Sequence, residues 1–293
     1  VTNSASFPDV HPHDVFPKSE QPDRDETTHF DESAVVQHEE GGSIGKHTIF
    51  SFVKGAQAGI FFHELFEHLD FTIQGSQGLA SHVADKIKAY GIDPVWEKAI
   101  TQMVDNVLRV PLVSNYDEFS LSMIPRQQRI NEMEFYFPLQ KISVESLKNA
   151  FKVQAGGSMV NGLPEHMGRL QFAPAQGFMK GFIDLVFGFN GRYYLADWKS
   201  NHLGYAHEDY KPGALETIMQ RSYYTLQYHI YTLALHLFLQ ERLPGYQYQE
   251  NFGGVFYLFI RGIDCNRGSE YGVFYDRPTK ELVESLENTM VPG

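Results

Sequence analysis

The stretch GFIDLVFGFNGRYYLADWKS, residues 181–200, constrains the fold more than any other part of this chain. Two apolar runs flank Asn190-Gly191, and Asn-Gly in that setting is the strongest short-range hairpin signal, because a type I′ turn needs φ > 0 at both central residues. With those two residues at the turn, Phe189 faces Arg192, and each further pair steps one residue outward on either strand. The same register places Asp184 directly opposite Asp197, with Cβ atoms about 4.5–5.5 Å apart. Lys199 shares the face of Asp197 and stands opposite Phe182, because side chains alternate with a period of two.

Two facing carboxylates inside an apolar hairpin repel each other and are costly to desolvate. A hard divalent cation such as Mg²⁺ compensates them, since it takes oxygen ligands and needs only one or two carboxylates, with water and substrate phosphate completing its shell. The lysine then has a chemical use. It orients and deprotonates a water, or stabilises charge building on a phosphate. The plain alternative is two strand-end aspartates beside a solvated lysine.

The surrounding chain frames this hairpin. GAQAGIFFHELFEHLDF repeats apolar residues at helical spacing, with further helices over 79–90 and 94–109. NEMEFYFPL alternates and reads as a strand ended by Pro138; a short helix then covers VESLKNAFKV, and GGSMVNGLPEHMG is loop. Beyond the hairpin come a polar loop at 201–215, a long helix over 216–242, a buried strand FGGVFYLFI, a short strand near 272–276 and a helix after Pro278. Helices on both sides of a mixed central sheet make the fold class α/β or α+β, with a helical N-terminal part.

Charge and cysteine content narrow the chemistry. Residues 1–40 hold ten acids against Lys18 and Arg24, so they carry −8 of the net −12. Such a stretch, poor in large aliphatics, is expected to be a disordered tail or linker over residues 1–43, followed by one domain over 44–293. The body is nearly balanced but has no basic stripe, so a grip on DNA must come partly from elsewhere. The single cysteine, Cys265, excludes an internal disulfide and a four-cysteine iron–sulfur cluster. No apolar run is long enough for a membrane span, and the N-terminus lacks the pattern of a signal peptide. The expected location is the cytoplasm, and a start at Val suggests a fragment.

An Asp, a hairpin and then Asp-x-Lys resemble the metal-dependent nuclease core called PD-(D/E)xK, the restriction-endonuclease-like fold. GFMKGFIDLVF, GRYYLADWKSNHLG and LQYHIYTLALH are more closely similar to the C-terminal nuclease domain of RecB-type subunits of bacterial exodeoxyribonuclease V, and GIFFHELFEHLDF and FGGVFYLFIRGID extend the likeness in order over most of 44–290. The resemblance implies His63 as a further ligand to the metal of Asp184 and Asp197, and the backbone carbonyl of Trp198 as another. It implies a catalytic acid at Glu134, with Glu132 the competing choice two residues earlier, and it implies that Gln227 and Tyr231 position the active site or the DNA. HELFEH is not the zinc-protease pattern, whose two histidines are four residues apart.

By this resemblance the chain is a DNA nuclease with one Mg²⁺, or two, and no ATP site. Water assisted by Lys199 attacks phosphorus in line, leaving a 5′-phosphate and a 3′-hydroxyl. The RecC and RecD subunits are the implied partners in processing double-strand ends for recombinational repair. Two rivals remain: a catalytically silent nuclease-fold scaffold, and a hydrolase of some other phosphoester.

Overall fold

The computed structural model describes residues 47–73, 76–113, 119–152 and 175–293. The tail expected over 1–43 and the loop GGSMVNGLPEHMG lie outside the described residues. Five strands form one sheet in the order β1-β2-β3-β4-β5: β1 (Arg129–Ile142), β2 (Ala175–Phe189), β3 (Arg192–Lys199), β4 (Phe252–Phe259) and β5 (Val273–Asp276). Neighbours are antiparallel except β3 and β4, which run parallel. Helices α1 (Ala56–Glu67), α2 (Ser76–Ala89) and α3 (Glu97–Arg109) precede the sheet in sequence. Helix α4 (Val144–Lys152) follows β1, α5 (Pro212–Arg221) and α6 (Tyr224–Arg242) make the crossover that a parallel pair requires, and α7 (Lys280–Met290) ends the chain.

Two cores sit on opposite faces of the sheet. One joins Phe62, Leu65 and Val104 of α1 and α3 to Ala196, Trp198, Phe256 and Leu258. The other joins Leu147, Leu215, Leu233 and Leu282 of α4 to α7 with Leu195, Val255, Tyr257 and Phe259. Strands β3 and β4 are therefore covered on both sides, which is why their sequences read as continuous apolar runs.

Two expectations about element ends are corrected. Strand β1 runs through Pro138, which pairs with Phe178, and continues to Ile142. β1 is an edge strand, where the missing N–H of proline can face away from the ladder. The single helix expected over 216–242 is two helices, broken at Tyr223, whose φ is 57°. The first of them starts earlier than expected, at Pro212, a residue suited to an opening helical turn.

His229 on α6 lies between these packed layers, fully buried, with Nδ1 2.6 Å from the Thr225 carbonyl. Burial pushes its pKa down from 6.5 to about 4, so the folded state holds it neutral. The unfolded chain takes up a proton below pH 6.5 and the folded chain does not until about pH 4. Stability is thus complete above 6.5 and falls by up to about 3 kcal/mol as pH drops to 4. Urea denaturation of wild type and His229→Phe across that range checks this: the wild type should lose more stability on acidification than the variant.

Candidate metal centre

The hairpin forms in the expected register. Asn190 and Gly191 take φ of 48° and 78°, and the ladder runs from Phe189↔Arg192 to Leu185↔Ala196. It stops there, one pair before Asp184 and Asp197. From Asp197 onward β3 continues in register with β4, through Asp197↔Tyr257 and Lys199↔Phe259, while β2 stays with β1. The two strands fork where two carboxylates would otherwise face each other. Lys199 therefore does not stand opposite Phe182, which pairs with Glu134 on the other side.

Asp184 sits in the mouth of the fork. Its Oδ2 accepts the Trp198 amide at 2.8 Å and lies 3.4 Å from His63 Nδ1. Trp198 turns its indole into the core of α1 to α3, where it stacks on Phe66 at 4.4 Å and 15°. That contact fixes α1 against β3 and so sets His63 over Asp184. Burial by itself lowers the His63 pKa, but the Asp184 carboxylate, with help from Asp197, raises it to about 9. Burial likewise raises the Asp184 pKa, and His63, Lys199 and the Trp198 amide outweigh it to leave the group below its usual value.

The third member of the cluster is Glu132. One atom each from His63, Glu132 and Asp184 lies within 4.8 Å of the others. The β1–β2 pairing steps from Asn131↔Leu185 to Met133↔Ile183, so Glu132 falls opposite Asp184, yet the two do not pair in the ladder. Glu132 has φ of 51°, in the left-handed region that a glutamate rarely adopts. At this point the ribbon changes face. Leu185 and Phe187 belong to the core of α1 to α3, whereas Met133, Phe135 and Ile183 belong to the opposite one. Backbone strain at a cluster of ionisable groups is a mark of a functional site.

The sequence reading favoured Glu134 over Glu132, and the structure places the two differently. Glu134 pairs with Lys180 at 2.7 Å, both partly exposed. The period-two rule had put Glu132 and Glu134 on one face, and the left-handed residue breaks that rule.

Asp197 and Lys199 lie on the next strand, outside this three-residue cluster. They are 2.9 Å apart and 3% exposed. The Lys199 ammonium also sits 4.1 Å from the centre of the Tyr224 ring and 5.4 Å from that of Tyr257. Tyr257 donates to Gln227 Oε1 at 2.8 Å, and Gln227 donates to the Tyr231 hydroxyl at 3.0 Å. Gln227 and Tyr231 thus stand behind the lysine rather than among the ligand atoms. Sequence reasoning had singled out neither Tyr224 nor Tyr257, since nothing local tells a core tyrosine from one that walls a buried ammonium.

The donor set suits a hard cation: two carboxylates and one imidazole, converging where the fold already stabilises positive charge on His63. No family model matches the chain. It is similar to RecBCD enzyme subunit RecB of Escherichia coli, with 38% identity over 240 residues, which is 82% of this chain and 19% of that protein. The same subunit of Haemophilus influenzae is 37% identical over 241 residues, again 82% of this chain and 19% of that protein. That of Buchnera aphidicola subsp. Acyrthosiphon pisum is 32% identical over 249 residues, 85% of this chain and 20% of that protein. The chain therefore spans about a fifth of the length of these curated relatives.

Proposed function

This chain is a homologue of the RecB subunit over one segment of that protein, and on that premise we propose that it is the nuclease domain of a RecBCD-type enzyme. Its reaction is Mg²⁺-dependent hydrolysis of DNA phosphodiesters during the processing of double-strand ends for recombinational repair. Residues 44–293 form the nuclease unit. RecC and RecD are the partners of the full-length subunit, and the bacterial cytoplasm is its location. The observation that carries the reading is the convergence of His63, Glu132 and Asp184 at the fork, with the Asp197–Lys199 pair on the adjoining strand.

His63, Glu132 and Asp184 would hold the metal, with Asp197 the reserve carboxylate beside them. When bound, Mg²⁺ supplies Lewis acidity toward the phosphate and lowers the pKa of a coordinated water. The chain's own groups do the rest. The Trp198 amide and the His63 ring fix the Asp184 carboxylate. Lys199, an ammonium held by Asp197 and two tyrosine rings, is a hydrogen-bond donor for a phosphate oxygen or for the departing oxygen. Tyr257 ties the Gln227–Tyr231 pair to this wall.

His63 would have to give up the proton that Asp184 favours on it before its ring could ligate a cation. The raised pKa of about 9 then sets the sign: below it His63 is protonated and metal competes with the proton, above it the ring is free to ligate. Metal affinity is expected to rise by up to about tenfold per pH unit from 7 toward 9 and then level off. Calorimetric titration with Mn²⁺ in buffers of different ionisation enthalpy checks this by counting released protons. An affinity that does not change across that window removes His63 from the ligand set.

The functional reading is tested by substrate comparison. The chain with Mg²⁺ should cleave single-stranded DNA and leave p-nitrophenyl phosphate and free nucleotides intact. Turnover of the small esters without DNA cleavage would replace it with a different phosphoester hydrolase.

A further inference from the structure

Beside the cluster the fold leaves a cavity of about 420 Å³, walled in part by Glu67, His68, Asp70, Arg126, Arg129 and Asn131. Arg129 is only 6% exposed. Its guanidinium lies 3.4 Å from the centre of the Phe71 ring, and Nη2 donates to the Leu69 carbonyl. Its Nε and Nη1 are buried as well, and neither has a hydrogen-bond partner. A buried guanidinium with donors unmet on two of its three nitrogens is costly unless something fills the space in front of it. Burial, with Arg126 nearby, lowers its pKa to about 10, and the Asp70 carboxylate offsets only part of that.

The two carboxylates in the wall have other partners. Asp70 Oδ1 accepts from the Thr72 amide at 3.0 Å and the Thr72 hydroxyl at 2.8 Å, and Glu67 lies 3.9 Å from His68. Asn131 donates Nδ2 to the Glu67 carbonyl, and its buried Oδ1 has no partner, leaving an acceptor for a water or hydroxyl accompanying the occupant. Two guanidinium nitrogens without partners, together with a second, exposed arginine in the lining, match a phosphate group. The cavity also adjoins the metal cluster. Asn131 directly precedes Glu132 on β1, and Glu67 follows His63 by about one turn of α1.

We propose that this cavity is a phosphate subsite, in which Arg129 and Arg126 grip a DNA phosphate next to the one being cut. The inference rests on the nuclease reading, because its use is to hold the strand in register while the metal cluster acts on the neighbouring bond. The phosphate is an internal diester or a terminal 5′-phosphate, and both present the same oxygens.

The test is anisotropy of a labelled single-stranded oligonucleotide in EDTA, so that binding is read without cleavage, with and without a 5′-phosphate. Arg126→Ala and Arg129→Lys should each weaken binding about tenfold. Arg242→Ala, which removes one exposed positive charge from the last turn of α6, serves as the control for bulk charge. A loss seen with both oligonucleotides identifies the diester; a loss confined to the phosphorylated one identifies the terminal group. If Arg129→Lys does not fold, Arg126→Ala carries the test. Wild type that does not bind, or losses no larger than that of Arg242→Ala, would overturn the subsite. Cleavage with Mg²⁺ is scored separately: wild-type cleavage with unweakened variants sinks the subsite alone, and weakened variants without wild-type cleavage sink the nuclease reading alone.

Discussion

Asp184→Ala is expected to abolish cleavage of DNA, by at least about a thousandfold, and metal binding with it. The reason lies in what Asp184 joins. It is held from two elements at once, by His63 of α1 and by the Trp198 amide of β3. Removing the carboxylate leaves Glu132 as the sole anionic member of the three-residue cluster. A metal that contributes several kcal/mol of charge stabilisation in the transition state is then lost, and each 1.36 kcal/mol is about a factor of ten in rate. The substitution should not cost stability in proportion, because it also removes a charge that is expensive to bury.

Lys199→Met gives the informative contrast. It should retain metal binding through His63, Glu132 and Asp184 while losing cleavage. It also strands Asp197, whose carboxylate is 3% exposed and pairs with Lys199 at 2.9 Å. Breaking one side of a buried ion pair costs about 3–5 kcal/mol. Metal added to this variant should recover part of that loss if Asp197 can turn toward the cation. Metal titration followed by calorimetry, with cleavage assayed on the same preparations, separates the two substitutions. Equal loss of metal binding in both would mean that the lysine, not the fork, organises the ligands.

The second large effect concerns Arg261, far from any ligand atom in sequence. Its side chain is 1% exposed. It donates to the carbonyls of Ser200 at 2.8 Å, Ile49 at 2.7 Å, Phe52 at 3.1 Å and Val53 at 2.6 Å. One guanidinium thus ties the segment leading into α1 to the residue that follows Lys199. Arg261→Met leaves those carbonyls without this donor in a buried setting, at about 1–3 kcal/mol each where water cannot replace it. The expected loss is about 3–5 kcal/mol, or about 10 °C in melting temperature for a domain of this size. Arg261→Lys should recover little, since an ammonium does not reproduce the planar fork. Thermal melts of the two variants decide this. A shift of only a degree or two in Arg261→Met would show that the strap does not hold the two segments together.

The hairpin was legible in the sequence because Asn190-Gly191 sets a turn whose φ values few other pairs tolerate. With the turn fixed, the register followed, down to the pair that faces across the fork. The fork itself was not legible. It arises because β3 finds a parallel partner in β4, more than fifty residues along, and nothing in residues 181–200 records that competition. Glu132, the competing choice beside Glu134, could not be preferred for a different reason. Strand parity assumes extended backbone at every residue, and only the packed ribbon forces a glutamate into the left-handed region. The break at Tyr223 was equally silent, since no glycine or proline marks it. What local patterning carried was the class of fold and the hairpin that brings Asp184, Asp197 and Lys199 to one end of two strands. Their arrangement depended on tertiary competition.

On this reading the cluster of His63, Glu132 and Asp184 binds a divalent cation and the chain cuts DNA with it. A single Mg²⁺ titration of the wild-type chain with a single-stranded oligonucleotide, reading bound metal and product together and ending with EDTA, decides this. Cleavage should rise with metal occupancy, yield ends bearing 5′-phosphates and stop on chelation, and Asp184→Asn should show neither signal. A wild-type chain that binds no metal, or that binds it and cuts no DNA at saturation, would rule out a metal-dependent nuclease centre here; the first of these outcomes would make the fold a scaffold.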